Sequence, residues 1–400
     1  MSSLLRGVFV VGAKRTAFGA YGGKLKDTSS IELGEIAAKA ALSAAGVKPD
    51  LVDSAVVGNI GQSSSPAGPY IARHVALRAG VPNHVPCLTI NRLCGSGFQA
   101  VVTGAQDICL RDSEIVLTAG SESMSQAPFI IRGARFGVKF SQTPQMECAL
   151  WTTLTDHHVK MPMGITAENL AEKYNISREE SDKFALRSQQ NWKKAQDSGW
   201  FKEEMAPIMF KNKKTGKEDA FDVDEHPRPQ TTLESLAKLP AVFKKDGTVT
   251  AGNASGVCDG AGAVVLASED AVQKHSLKPL ARIVGYCSMG CDPKIMGIGP
   301  VPAIRKLCER TGISLDKVDL VDINEAFAPQ TLACMKELNI NESKFNVCGG
   351  AIALGHPVGA SGSRITANVI HELRRRGGKY AIGAACIGGG QGIAILFENI

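Results

Sequence analysis

The chain repeats itself, and an α/β unit that occurs twice restricts the fold more than any single motif does. The stretch Ala45-Gly46-Val47-Lys48-Pro49-Asp50-Leu51-Val52-Asp53 matches Thr311-Gly312-Ile313-Ser314-Leu315-Asp316-Lys317-Val318-Asp319, which sets Gly46 and Gly312 266 residues apart. Each copy reads as a helix end with a glycine cap, a short connection and an apolar strand. A second match pairs Gly95-Ser96-Gly97 with Ala360-Ser361-Gly362, 265 residues apart from Ser96 to Ser361. Helical patterns follow both, and then the strands Ile115–Gly120 and Tyr380–Ala385. A third match, Gly260–Leu266 with Gly390–Leu396, is separated by only 130 residues from Gly262 to Gly392.

The drop from 265 to 130 leaves about 135 extra residues in the first copy, between its last two strands. Residues 124–253 are therefore expected to form an inserted domain. The first half then comprises 1–123 plus 254–276, and the second half 277–400. The inserted segment holds all three tryptophans, Pro227 and Pro229, and a helix over Glu179–Gln196 with Ser177 as cap and Glu180 three residues later. Each copy alternates helices with short β-branched runs, which is the pattern of an α/β layer with a mixed sheet. Two such copies packed face to face bury helices between two sheets.

Composition narrows the function classes. Hydrophobic residues make up 44% and charged residues 21%, which argues against disorder, and no run approaches the ~18 apolar residues of a membrane helix. The eleven cysteines are scattered without metal-type spacing, so no metal site and no disulfide framework is expected. The net charge of +6 is modest, and the cluster Lys211, Lys213, Lys214 and Lys217 lacks the interleaved aromatics of a nucleic-acid surface. The N-terminus is basic up to Asp27, which resembles an organelle-targeting bias. Gly7-Val8-Phe9-Val10-Val11-Gly12 also reads as a buried strand followed by a turn, so an uncleaved targeting segment is expected. The last residues, Glu398-Asn399-Ile400, are not the peroxisomal address.

Four loops carry candidate chemistry. In Asn91-Arg92-Leu93-Cys94-Gly95-Ser96-Gly97, an apolar strand runs into a cysteine and then a helix, where the dipole and free N–H groups favour a thiolate. A buried structural cysteine is an equal alternative for this loop alone. In Gly349-Gly350-Ala351-Ile352-Ala353-Leu354-Gly355-His356-Pro357, the histidine reads as catalytic or as a turn residue bonded to backbone. Cys386-Ile387-Gly388-Gly389-Gly390 follows the strand that repeats Ile115–Gly120, with three glycines to offer N–H groups to an oxyanion. Asn324-Glu325-Ala326-Phe327-Ala328 ends a strand; Asn324 reads as a helix cap or a carbonyl polariser, and Glu325 as able to orient a neighbour.

Taken together, two glycine-flanked cysteines, a Gly-His-Pro and an Asn-Glu-Ala-Phe at strand ends of a duplicated α/β chain resemble the thiolase family over the whole length. The stretches Met124-Ser125-Gln126-Ala127-Pro128, Gly247–Gly256 and Arg374-Arg375-Arg376-Gly377-Gly378-Lys379-Tyr380 are most similar to its mitochondrial 3-ketoacyl-CoA branch. The resemblance implies a five-layer αβαβα sandwich with an inserted loop domain that binds coenzyme A and helps build a homotetramer. It implies thiolytic cleavage of 3-ketoacyl-CoA by coenzyme A, giving acetyl-CoA and a shortened acyl-CoA, with no tightly bound cofactor and a mitochondrial-matrix location; the cytosol is the alternative. Under it Cys94 is the nucleophile, His356 its base and an oxyanion donor, Cys386 the proton carrier, Asn324 the holder of a water, and Gly388 a backbone oxyanion donor. Coenzyme A contacts fall on Arg228, Thr231, Ser235 and Ser255, and Met163 and Phe327 line the acyl end.

Departures from the family pattern are small: Cys348 stands where Asn is usual and Val358 where Leu is usual. Pro162 stands where acetoacetyl-CoA-specific relatives carry His, which favours substrates of broader chain length over a biosynthetic acetoacetyl-CoA enzyme. A condensing ketoacyl synthase lacks the second cysteine with three glycines. A non-catalytic acyl-lipid carrier on the same scaffold would need neither cysteine. Hydrolysis of the acyl-Cys94 thioester is chemically available as a side reaction.

Overall fold

A computed structural model describes residues 7–211 and 216–400 of the chain. Residues 1–6 of the basic N-terminus, and Lys213 and Lys214 of the lysine cluster, lie outside the described residues. In the first copy β1 (Val8–Thr16) is followed by α1 (Ser30–Ala45), β2 (Ser54–Gly58), α2 (Ile71–Arg78), β3 (Cys87–Ile90), α3 (Ser96–Leu110) and β4 (Ile115–Ser123). The inserted segment carries α4 (Met163–Lys173) and α5 (Arg178–Asp197), and the first copy resumes with β5 (Cys258–Ser268). The second copy runs β6 (Ala281–Gly290), α6 (Pro300–Thr311), β7 (Leu320–Ile323), α7 (Ala328–Leu338), α8 (Ser361–Arg376), β8 (Tyr380–Ile387) and β9 (Gln391–Asn399).

Strand order repeats with the elements. The first copy pairs as β1-β5-β4-β2-β3 and the second as β6-β9-β8-β7. In each, the two pairings that start from the first strand are antiparallel and the next is parallel. A parallel bridge from Val321 to Phe345 stands where the first copy has β3 beside β2. The helix caps repeat as well: Gly46 and Gly312 both close their helices in the left-handed region, at φ 65° and 69°. The two sheets are not separate, as a pair of stacked copies suggests. They meet at a short antiparallel seam, Phe9 with Arg282 and Val10 with Ala281.

Three apolar cores account for the layering. One lies between α1, α2 and the first sheet, and another between α6, α7 and the second sheet. The third joins α3 and α8 to both sheets, with Phe98, Val101, Ile365 and Val369 among its buried members. Helix–sheet–helix–sheet–helix is thus the order through the molecule. At the centre α3 and α8 approach backbone to backbone. A Cβ on Gly97 would lie 2.5 Å from the Ser363 nitrogen, and one on Gly362 would lie 2.2 Å from the Phe98 nitrogen. These contacts are mirror images under the 265-residue repeat, and no larger side chain fits either position.

Two local expectations change. The first strand does not turn at Gly12 but continues to Thr16, with a bulge between Val10 and Gly12. Gly12 is there because α1 passes close; a Cβ would lie 2.4 Å from the Ala41 carbonyl oxygen. The strand expected to stop at Ala385 extends to Ile387, so Cys386 sits inside it and Gly388-Gly389-Gly390 make the turn into β9.

The inserted segment is tied to the core by charge as well as by packing. Arg15 of β1, fully buried, donates to Glu204 Oε1 at 2.6 Å and to both oxygens of Asp224, at 2.6 and 3.1 Å. Asp224 also accepts from the Phe18 amide and from Trp192 Nε1 of α5, and Glu204 from Asn368 Nδ2 of α8. Burial alone would weaken the charge on Arg15, but Asp224 and Glu204 outweigh it and raise its pKa. Arg15→Met would leave two buried carboxylates without their cation, and a loss of about 3–5 kcal/mol is expected. Urea unfolding followed by tryptophan fluorescence measures it; a midpoint equal to that of the wild type would show that the triad does not hold the segment.

Candidate active site

The loops singled out in the sequence converge at the edge of the central layer. The turn from β3 into α3 carries Cys94, two residues ahead of Ser96. Leu93 just before it has φ 45°, a left-handed conformation that costs a branched side chain and is kept only where surrounding structure imposes it. The turn closes on itself: Arg92 N–H donates to Ser96 Oγ at 2.8 Å, and Ser96 Oγ donates to the Leu93 carbonyl at 2.7 Å. The sulfur of Cys94 thereby faces a cavity of about 280 Å³ that His356 also lines.

His356 follows Gly355, which has φ 99° and packs so closely on Cys258 that a Cβ would lie 2.0 Å from its sulfur. The imidazole is held from both ends. Nδ1 lies 2.6 Å from Ser361 Oγ, at the start of α8, and Nε2 lies 3.2 Å from Asn324 Nδ2. Ser361 Oγ also donates to the Pro357 carbonyl at 3.1 Å. The backbone N–H of His356 donates to the Gly256 carbonyl at 2.8 Å, so the ring is fixed by side chains while its peptide is fixed by backbone. Asn324 does not cap a helix. Its backbone N–H donates to the Ala384 carbonyl within β8, its side chain turns to His356, and its Oδ1 is buried without a protein partner. Such an oxygen is where a water fits. Glu325 beside it accepts from Ser188 Oγ of α5 at 2.6 Å, from Asn346 Nδ2 at 3.0 Å and from the Ile352 amide at 3.2 Å. It thus anchors the loop that leads to His356, with no direct part in the cavity lining.

Cys386 is fully buried, in a small apolar cluster with Ala167, Val249, Met296, Ala326 and Phe327. It lies behind the cavity lining, close enough for the charge of Cys94 to act on it. Gly388 lines a smaller cavity with Cys94, Leu93 and Met163. The amides of Gly388 and of Cys94 itself lower the Cys94 thiol pKa, which puts both within influence of the sulfur. This is the arrangement expected of an oxyanion site centred on whatever Cys94 has attacked.

The charge state differs from the helix-terminus expectation. Burial pushes the Cys94 thiol up to about 11, against the pull of the Gly388 and Cys94 amides and with a further push from Glu122. Burial pushes His356 down to about 3, and the Arg364 charge adds to it. Cys386 is raised well above the ordinary thiol value, again mainly by burial. At neutral pH the resting site is therefore thiol, imidazole and thiol, all uncharged. Desolvation of the Cys94 thiol outweighs the pull of the Gly388 and Cys94 amides.

Of the residues expected around the substrate, Met163, Phe327 and Ser255 line the main cavity with Cys94 and His356. Arg228, Thr231 and Ser235 do not; they stand on an exposed segment outside it, where Thr231 Oγ1 donates to the Arg228 carbonyl and Ser235 Oγ to the Thr232 carbonyl. Sequence reasoning missed more of the apolar wall: Leu150, Trp151, Leu154 and Phe243, all from the stretch between β4 and β5. Phe243 packs edge-on to Phe327 with centroids 6.1 Å apart. The one signal for it was Gly164, where a Cβ would lie 2.3 Å from the Phe243 ring. Pro162 lines the same wall. Among the described residues, no group of three His, Cys, Asp or Glu is placed to hold a metal ion, and no helix is long and apolar enough to cross a membrane. All eleven cysteines are free thiols.

Comparison with known proteins agrees with this geometry. Residues 8–270 match the family description "Thiolase, N-terminal domain", and residues 277–399 match "Thiolase, C-terminal domain". The chain is 65% identical over 397 residues, 99% of each chain, to the mouse protein named "3-ketoacyl-CoA thiolase, mitochondrial". The crystal structure of human mitochondrial 3-ketoacyl-CoA thiolase superposes with a TM-score of 0.97 at 64% identity, covering 99% of this chain and 100% of that one. The structure of the same human enzyme in complex with CoA gives 0.96 at 63% identity, covering 99% of each. Matched over 8–270 and 277–399 by the two family descriptions and 65% identical to a relative over 99% of each chain, this chain belongs to the thiolase family.

Proposed function

We propose that this protein is a 3-ketoacyl-CoA thiolase, cleaving 3-ketoacyl-CoA with coenzyme A to acetyl-CoA and an acyl-CoA two carbons shorter. The observation that carries the reading is the convergence of Cys94 and His356 on one apolar cavity, with the Gly388 and Cys94 amides aimed at the sulfur. His356 takes the thiol proton as Cys94 attacks the 3-keto carbon, and the C2–C3 bond breaks to release acetyl-CoA as its enolate. Cys386 gives that carbanion its proton. Cys386 then takes a proton from incoming coenzyme A, whose thiolate displaces the acyl group from Cys94, and Cys94 recovers its proton from His356. The neutral resting state of Cys94, His356 and Cys386 suits this sequence, because each proton has a defined place to go and none of the three reacting groups carries a charge before substrate arrives.

The same reading includes two oxyanion sites. His356 Nε2 and a water on Asn324 face one, and the amides of Cys94 and Gly388 face the other. Each donor of this kind is typically worth ~3 kcal/mol of barrier, roughly a hundredfold in rate. For coenzyme A, Ser255 at the cavity wall and the exposed Arg228, Thr231 and Ser235 form the approach, with the Arg228 guanidinium suited to phosphate or adenine. The apolar wall at Met163, Phe327, Trp151 and Phe243, with Pro162 rather than a histidine, supports acyl chains longer than acetoacetyl.

The functional units are proposed as 1–123 plus 254–276, 124–253 and 277–400. The chain is assigned to the mitochondrial matrix and the last step of fatty-acid β-oxidation, in keeping with the names of its relatives. Assembly as a homotetramer is supported by two uncovered features. The edge strand β3 exposes Leu88, and the arm between Phe129 and Met146 leaves Phe136 and Phe140 fully exposed. Single chains seldom leave such aromatics in water. Phe136→Ser with Phe140→Ser is expected to reduce the assembly to dimers by light scattering; an unchanged mass would remove this arm from the interface.

Cys94→Ala is expected to abolish both thiolysis of 3-ketooctanoyl-CoA and the mass increment of the acyl-enzyme; rapid turnover by this variant would sink the assignment. Cys386→Ser is expected to slow α-proton exchange on acetyl-CoA at least about a hundredfold while acylation of Cys94 by an activated thioester changes little. The pH dependence carries its own sign. With His356 near 3 and Cys94 near 11, neither titrates between pH 5 and 9 in the free enzyme. Alkylation of Cys94 by iodoacetamide should therefore keep rising through pH 9, without the plateau near neutrality that a preformed thiolate–imidazolium pair would give.

A further inference from the structure

One buried carboxylate near the cavity is left unused by the mechanism. Glu122, one residue from the end of β4, is 2% exposed and makes four hydrogen bonds. Oε1 accepts from Asn59 Nδ2 at 3.1 Å and from the Gly61 amide at 2.9 Å, and Oε2 accepts from the amides of Ile60 and Gly359, both at 3.1 Å. All four partners are donors, which satisfies the ionised form; a protonated acid would turn its hydrogen against an N–H. The donors come from two different places. Asn59, Ile60 and Gly61 follow β2 in the first copy, whereas Gly359 belongs to the loop His356-Pro357-Val358-Gly359 of the second.

We propose that Glu122 is a positioning residue of the thiolase reaction: its carboxylate clips the loop after β2 to the loop that carries His356, and so fixes two walls of the Cys94 cavity against each other. Ile60 and Val358, the side chains next to the clipped amides, both line the small cavity that contains Cys94 and Gly388. The clip admits no spacer. A Cβ on Gly359 would lie 2.7 Å from Oε2, and one on Gly61 would lie 2.9 Å from Oε1. A shift of one loop by an ångström would move His356 relative to Cys94, and displacements of that size cost on the order of a hundredfold in rate. The carboxylate also acts on the nucleophile through space. Burial holds Glu122 up at about 7 against the pull of its amides, Asp259 adds to the burial, and the Glu122 charge in turn raises Cys94.

This inference rests on the Cys94–His356 reading, and the experiment separates the two. Glu122→Gln keeps the size, removes the charge and sets an NH2 against two donors. Its kcat for thiolysis is expected to fall roughly thirtyfold, with KM for 3-ketooctanoyl-CoA and for coenzyme A within about twofold of the wild type. The midpoint for alkylation of Cys94 by iodoacetamide should move to lower pH, by about half a unit or more. Gly359→Ala strains the clip but keeps the charge, so its kcat should fall while the alkylation midpoint stays. A Glu122→Gln enzyme that unfolds cooperatively and keeps kcat within about twofold overturns the proposal. If that variant does not fold, an unchanged kcat in Gly359→Ala overturns it equally. If alkylation of Cys94 in the wild type left thiolysis intact, the underlying reading would fail whatever Glu122 does.

Discussion

Everything in this molecule is arranged around the place where α3 and α8 touch. Gly97 meets Ser363 and Gly362 meets Phe98, backbone against backbone, at separations that exclude even a methyl group. Because each helix starts directly after a functional loop, this contact sets the distance between the Cys94 turn and the His356 loop. The sheets on either side then bury both helices, and the residues that could move the helices apart are all in the central apolar core. A tightly packed centre of this kind transmits small shifts with little damping. The precision of the site is thus a property of the layer beneath it more than of the loops.

Electrostatics at the site follows from the same burial. A cysteine at a helix start suggests an activated thiolate, and for an exposed turn that inference would hold. Here the low-dielectric base of the cavity raises Cys94 and Cys386 and lowers His356, each away from its charged form. The chain keeps its ionised groups a step further back. Arg364 pairs with Asp322 at 3.0 Å beneath the His356 loop, Glu325 anchors that loop to α5, and Arg15 joins β1 to the inserted segment. Buried pairs of this sort contribute little net stability compared with an apolar core, but they define which elements meet.

Much of this was legible in the sequence. The repeat of Gly46 and Gly312 gave equivalent helix caps, and β4 and β5, which the change of offset sets far apart in sequence, pair directly in the first sheet. The loops around Cys94, His356, Asn324 and Cys386 could each be read as structural or catalytic in the sequence, and the fold brings Cys94 and His356 to one cavity with Asn324 beside the imidazole. Other features had no local signature. The seam between β1 and β6 involves two residue pairs without special composition. Phe243, Trp151 and Leu154 look like ordinary core or surface residues until the fold folds them over the cavity. Gly12 resembles a turn residue, yet its cause is the Ala41 carbonyl of a helix thirty residues away in sequence. Glu122 reads as one polar residue at a strand end, because its partners lie at Asn59–Gly61 and Gly359.

The pseudo-symmetric glycine contact has an implication for how one chain can carry different side chains at equivalent places. Two identical units meeting about a two-fold axis must present the same residue on both sides, which is why glycine is required at both 97 and 362. Under such an axis a nucleophile in one unit faces a second nucleophile in the other. Joining the units in a single chain lifts that obligation wherever packing does not enforce it. Two residues ahead of each central helix, the first copy has Cys94 and the second has Gly359, whose amide is given to Glu122. The covalent linkage therefore does for this chain what a heterodimer does for others: it lets equivalent positions of the two halves carry different residues, Cys94 in one and Gly359 in the other.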